Sequence, residues 1–335
     1  MIESLLAGML LTSLLLATLW GGLALVHRLP ASRVVRWLAV LVWLGTGGLW
    51  CLLVWQGARL APLAGMVVQM AALLAWWRQL QPAMDLDWAD DVAHLATGEV
   101  EGHRLILHHV RDFDWQTPDR ARIAWERREY DLRALDSVDL FVSGWGRPGI
   151  AHVLISFGFL DPGSGRHDFV AFSVEVRRER HEQFSEIGGF FKQYELAIIA
   201  ADERDAVRLR SNVRCETVNL YRVRLNAADR RDLLLVLVEE ANRLEAAPRF
   251  YHTVTANCTT LVFGLMRRII EGLPMDHRLV LTGLLPGYVH DHRGLVPGFS
   301  LHELKCRGDI TERARQAHEA PDFSRCIREG VPGWE

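Results

Sequence analysis

Ile150-Ala151-His152-Val153-Leu154-Ile155-Ser156-Phe157-Gly158-Phe159 and Phe169-Val170-Ala171-Phe172-Ser173-Val174-Glu175-Val176 are two β-like runs joined by the turn Asp161-Pro162-Gly163-Ser164-Gly165-Arg166. A hairpin closing symmetrically about Gly163 and Ser164 sets Val153 against Val174, Ile155 against Phe172 and Phe157 against Val170, a continuous apolar face. The other face pairs Leu154 with Ser173 and Ser156 with Ala171, and places His152 across from Glu175. A carboxylate there holds one imidazole nitrogen, fixes the tautomer and leaves the second nitrogen to take a proton. A surface ion pair of little energetic weight is the plainer reading of the same two residues. Ser156 and Ser173 are spare candidates on that face.

The partner for such a base lies downstream, in Tyr251-His252-Thr253-Val254-Thr255-Ala256-Asn257-Cys258-Thr259-Thr260. It runs into an apolar segment with helical spacing, Leu261, Val262, Leu265, Met266, Ile269 and Ile270. Asn257 is a favoured N-cap, which puts Cys258 in the first helical turn. Free backbone N–H groups and the positive end of the helix dipole bias a thiol there toward thiolate. Cys258, His152 and Glu175 then form nucleophile, base and orienter, with the N–H of Cys258 or Thr259 available to an oxyanion. A buried structural cysteine is the alternative for Cys258 alone.

The flanks are of two kinds. Through Leu80 the acidic and basic side chains, histidine aside, are Glu3, Arg28, Arg33, Arg36, Arg59 and Arg78, in an otherwise strongly apolar stretch. Leu5 to Val26, Trp37 to Trp55 and Leu60 to Trp77 each approach the length of a bilayer-crossing helix, with Trp20, Trp37, Trp55, Trp76 and Trp77 near their ends. The first span lacks the basic n-region of a cleaved signal and is followed by two more. Arg28, Arg33 and Arg36 make the first loop the most basic, which by the positive-inside rule places it, and the bulk of the chain, in the cytoplasm.

Beyond the spans, residues 81–102 read as a solvated linker carrying Asp85, Asp87, Asp90 and Asp91, and 103–310 as an α+β domain. Strands are expected at His103 to Val110, Val138 to Val142, Leu196 to Ala201, Ala206 to Arg210 and Thr217 to Leu225. Helices are expected at Phe184 to Gln193 and Ala227 to Leu244; Thr117 to Arg133 reads as irregular, and so does the loop Ser143 to Gly149. After the cysteine helix, glycine and proline punctuate a looping stretch, and 311–335 reads as a polar tail. The net charge of −3 over 335 residues averages two unlike regions and implies no nucleic-acid surface. Cys306 and Cys326 are candidates for a disulfide on an oxidising side. There is no CxxC and no phosphate-cradling glycine motif, and His108-His109 and His290-x-His292 are poor ligand patterns, so no metal or cofactor is expected.

A series of motifs in order carries a resemblance: Ser137 to Gly146, Ala151-His152 with Ser156-Phe157-Gly158-Phe159, Ser173 to Glu179, Gly189 to Leu196, Ala201 to Asp205 and Asn257-Cys258-Thr259-Thr260. Over roughly residues 85 to 310 the chain resembles the Lnb N-terminal periplasmic domain family. That family is similar to circularly permuted papain-like (NlpC/P60-like) thiol enzymes, with an antiparallel sheet and the histidine strand preceding the cysteine helix. The resemblance implies a periplasmic domain anchored in the bacterial inner membrane. It also implies acyl transfer from a phospholipid donor, through a Cys258 thioester with His152 as base, to the amino terminus of a lipoprotein. Phe190, Phe191 and Tyr194 are candidates to line a lipid groove or to pack in the core. A membrane-anchored cysteine peptidase or amidase acting on cell-wall peptide would use the same residues, and a non-catalytic membrane module would need none of them.

Overall fold

The structure, a computed structural model, describes residues 2–147 and 149–334. Pro148, within the loop expected between the first strands, lies outside the described residues. Two compact units emerge, one of residues Met1–Ala83 with Phe184–Tyr194, the other of Met84–Gln183 with Glu195–Glu335.

The first unit contains helices α1 (Ile2–Arg28), α2 (Arg33–Trp55) and α3 (Leu60–Gln79), each long and apolar enough to cross a membrane. Glycines let α1 and α2 approach closely: a Cβ on Gly21 would fall 2.1 Å from the Trp43 ring, and one on Gly47 would fall 2.3 Å from the Thr18 hydroxyl. Several polar side chains in the spans find acceptors within the unit. Trp43 donates to the Thr18 carbonyl, Trp50 to Gln69, and Gln69 to the Thr46 hydroxyl. The segment Phe184–Tyr194 belongs to this unit and is not the expected helix; one 3-10 turn, Gly188–Phe190, is all that forms. Gly188 and Gly189 weaken helix formation, and tertiary contacts take its place. Phe191 stacks on His27 at 5.6 Å and meets Trp20 and Trp77, while Lys192 Nζ donates to the Trp77 carbonyl at 2.9 Å. Phe191 and Tyr194 are buried packing residues, whereas Phe190 remains exposed.

The second unit is built on one mostly antiparallel sheet. Its strands are β1 (Thr97–Glu101), β2 (Arg104–Arg111), β5 (Trp125–Asp131), β6 (Leu135–Gly144), β7 (His152–Leu160), β8 (His167–Arg177), β9 (Glu195–Ala201) and β10 (Thr217–Arg222). The order is β1-β2-β9-β8-β7-β6-β10, with β5 also paired to β2. A small ribbon of β3 (Asp114–Thr117) and β4 (Arg120–Arg122) lies apart, so the stretch read as irregular contains strands. Glu129 of β5 pairs along its strand with Arg127 and across to Arg104 of β2, charge pairing that a hydropathy reading does not see.

The β7–β8 hairpin has the expected register: Leu154 pairs with Ser173, Ile155 with Phe172, Ser156 with Ala171 and Phe157 with Val170. Period-2 alternation therefore gives one apolar face and one face bearing Asp139, Ser143, His152, Ser156, Ser173 and Glu175. Helix α5 (Ala227–Ala246) is capped by Asn226, packs on β1, β6 and β9, and buries Leu233, Leu234, Leu237 and Leu244. Helix α6 (Thr260–Ile269) packs on α5.

Further expectations need correction. Ala206 to Arg210 is not a strand; helix α4 (Glu203–Arg208) begins at an Asp202 cap and continues into a π-helical turn, Leu209–Val213. Its carboxylates are bound inside the fold, Asp205 taking two bonds from Arg111 at 2.8 and 3.0 Å and one from Trp115. The segment read as linker contributes Val92, Leu95 and Ala96 to the core. The stretch read as looping contains helices α7 (Leu285–Asp291) and α8 (Leu301–Gly308), and the segment read as a polar tail is helical and embedded, with α9 (Thr311–Gln316) and α10 (Phe323–Cys326). Ala314, Phe323, Ile327 and Val331 are buried, widely spaced among charged neighbours, so local hydropathy hides them. Arg328 fastens this segment to Asp139 and Glu203 with bonds of 2.6 to 3.0 Å. Cys306 and Cys326 carry free thiols.

Candidate active site

His152 opens β7, where it is paired with Ser143 of β6, and Glu175 lies near the end of β8. The hairpin register carries the two into contact, with His152 Nε2 3.0 Å from Glu175 Oε1. Ser173, on the same face, sits between them: its hydroxyl is 2.8 Å from His152 Nε2 and donates to Glu175 Oε1 at 2.7 Å. With the serine proton committed to the carboxylate, Nε2 is the protonated nitrogen and Nδ1 is left for the thiol. Ser156, the other spare, donates instead to Glu203.

Cys258 arrives from the far end of the chain, in the turn just before α6 rather than in its first turn. Asn257 Oδ1 accepts from the N–H groups of Thr259 and Thr260 at 2.9 and 2.8 Å, and its amide donates to the Thr253 carbonyl. This cap consumes the Thr259 N–H, so that group is not open to an oxyanion. The Thr259 hydroxyl lies 4.0 Å from Cys258 Sγ, and the Cys258 N–H has no partner among the described residues.

The thiol and His152 stand close enough to move each other's proton affinity. Burial pushes the Cys258 thiol up, but His152, the Val153 N–H and the Thr259 hydroxyl outweigh it and bring the thiol below its ordinary value. Burial and the Arg210 charge oppose protonation of His152, yet Glu175 and the thiol together raise it. Burial likewise works against ionised Glu175, and His152, Arg210 and Ser173 hold it well below the usual carboxylate range. All three shifts favour a thiolate–imidazolium pair beside an ionised carboxylate. Cys258 is 9% exposed, so the pair is shielded but not sealed.

Residues 121–283 match the Lnb N-terminal periplasmic domain family. It is the family the motifs indicated, and the matched stretch contains His152, Glu175 and Cys258. With three apolar helices before it, the chain is a membrane protein with a periplasmic domain. The charge bias toward a cytoplasmic domain gives way. It rested on three arginines, of which Arg36 is turned onto the carbonyls of Leu29 and Ala31. No curated protein and no solved structure matches the chain.

Two residues of this site escaped the sequence reading. Arg210, on the π turn, lies 3.7 Å from Glu175 Oε1 and 3.4 Å from Glu216, which also accepts from Ser143. It backs the carboxylate that backs the histidine. Tyr251 stands within electrostatic reach of Cys258 and Glu175, its hydroxyl held protonated by burial and by those charges, with no hydrogen-bond partner among the described residues. Neither had a local signal: Arg210 lay in a run resembling a strand, and Tyr251 in an irregular loop. No group of His, Cys, Asp or Glu among the described residues is arranged to hold a metal.

Proposed function

We propose that the domain is a thiol acyltransferase working through Cys258. The observation that carries this reading is the succession of Cys258, His152 and Glu175, the last two bonded through Ser173, in which each group's proton affinity is shifted toward the thiolate–imidazolium pair. The thiolate attacks the carbonyl carbon of an acyl ester. The ester C–O bond breaks, and the leaving alkoxide takes the His152 proton. An amine then attacks the thioester, His152 takes the amine proton, and the C–S bond breaks to return the thiolate. Glu175 and Ser173 hold the imidazole in the tautomer that these steps need. The Cys258 N–H and the Tyr251 hydroxyl are the unspent donors for the tetrahedral oxyanion.

The family resemblance and the three apolar helices favour a glycerophospholipid donor and the amino terminus of a lipoprotein as acceptor, in the permuted papain-like manner. Intact-mass measurement after incubation of the full-length protein with phospholipid tests this. The expected result is one added acyl mass, removed by hydroxylamine and absent from Cys258→Ala and His152→Ala. A thiol that alkylates fast at neutral pH but never gains an acyl mass would shift the reading to a peptidase or amidase.

A further inference from the structure

A polar cavity of about 400 Å³ lies in the second unit, lined by the β3–β4 ribbon, the π turn Leu209–Val213 and the residues that follow α9. It shares no residue with the candidate active site. Arg208 lines it, with a side chain only 3% exposed. Arg208 spends Nε on the Arg204 carbonyl at 3.1 Å and Nη2 on Asp114 Oδ1 at 2.6 Å, while Nη1 faces His318 Nε2 at 3.4 Å. That last contact sets donor against donor. Asn212 donates an amide hydrogen to the Ala314 carbonyl at 2.8 Å, which fixes the amide's orientation, and turns the same nitrogen toward His318 Nδ1 at 3.0 Å. Nδ1 is therefore the acceptor, and Nε2 of the neutral ring carries the proton. The imidazole N–H has Glu319 Oε1 at 3.4 Å, but the Nη1 hydrogens of Arg208 have no acceptor among the described residues.

A buried guanidinium with donors unmet is costly, and a cavity at the unmet nitrogen marks where its acceptor belongs. Charge narrows the choice of ligand. Asp114 balances Arg208, and Glu319 lies 3.9 Å from Arg204, so the cavity holds no uncompensated charge to draw an ion. Beside the unmet donors stands Asp114, whose Oδ2 accepts nothing among the described residues. An alcohol oxygen accepts from the one and donates to the other, whereas a trans peptide points its C=O and N–H in opposite directions. The exposed Thr117 hydroxyl offers a further donor and acceptor, and Gln116, the extra residue of a bulge in β3, carries an amide beside it. Pro118 and Val213 supply apolar lining for C–H groups. We propose that this cavity is a binding site for a neutral sugar, one hydroxyl of which bridges Arg208 Nη1, His318 Nε2 and Asp114. The volume suits a ligand of that size.

Saturation-transfer NMR tests the site on the full-length protein in amine-oxide detergent micelles, which bring no hydroxyl groups of their own. Methyl α-D-glucopyranoside is the probe. Saturable transfer to its ring protons is expected in the wild type. Binding should weaken about fivefold to tenfold in His318→Phe, which removes the Nε2–H, and in Thr117→Val, which removes an exposed hydroxyl. Melting temperatures equal to wild type show that the loss is not unfolding; Thr117→Val, on the exposed ribbon, carries the test if His318→Phe melts early. Equal binding by wild type and both variants, or no saturable transfer in the wild type, overturns the site. Displacement of the glucoside by inorganic phosphate or by glycine at matched ionic strength overturns its neutral class, and the proposal with it.

Discussion

Two charged clusters share the polar face of the sheet, and they are finished differently. Around Arg328 each of the guanidinium's own nitrogens meets an acceptor: Asp139 takes Arg328 and the Trp334 indole, and Glu203 takes Arg328 and Ser156. Around Cys258 the cluster is incomplete. His152, Ser173, Glu175, Arg210 and Glu216 are bonded in a line, yet the Cys258 N–H and the Tyr251 hydroxyl are unspent among the described residues. A buried ionic cluster with no donor left over is a structural lock; one whose spare donors stand about a polarised thiol is organised for a ligand.

The contrast breaks first at Arg328. Arg328→Ala leaves two carboxylates buried without their cation, and urea unfolding should show a loss of about 3–5 kcal/mol. A loss below about 1 kcal/mol would show the cluster to be solvated and the comparison misdrawn. Next, His152→Ala should leave unfolding nearly unchanged while iodoacetamide modification of Cys258 at neutral pH drops by roughly a hundredfold. Without the imidazole, burial dominates and the thiol titrates above its ordinary value. Glu175→Gln should act in the same direction more weakly. His152 loses the partner that raises it, so the imidazolium is lost at lower pH, the thiolate forms at higher pH, and the alkylation profile moves to the alkaline side. A profile identical to wild type would mean that Ser173 alone orients the ring. The smallest effect is expected for Tyr251→Phe, a few-fold loss in thioester formation with no change in melting, since the hydroxyl has no hydrogen-bond partner among the described residues.

Legibility in the sequence followed the range of the interaction. The apolar spans, the β7–β8 register and the Asn257 cap are set by neighbours along the chain, and each was readable from period or spacing. The Cys258–His152 contact joins distant segments, and motif order suggested it where periodicity was silent. Charged residues were misread wherever burial was offset by pairing: Arg210 was read in a strand and the Arg328 segment as a polar tail. Hydropathy scores each charge alone, whereas its cost inside a fold depends on a partner that can be nearly two hundred residues away, as Arg328 is from Asp139.

The amino-acid sequence by itself determined three membrane-length helices, a hairpin with His152 opposite Glu175 and a capped turn bearing Cys258, because backbone periodicity and local capping decide such features within a few residues. Only the tertiary structure decided that the turn meets the histidine, that a π turn brings Arg210 to Glu175, and that the last helices close the domain. Those outcomes depend on which distant polar groups saturate one another when the sheet faces are covered.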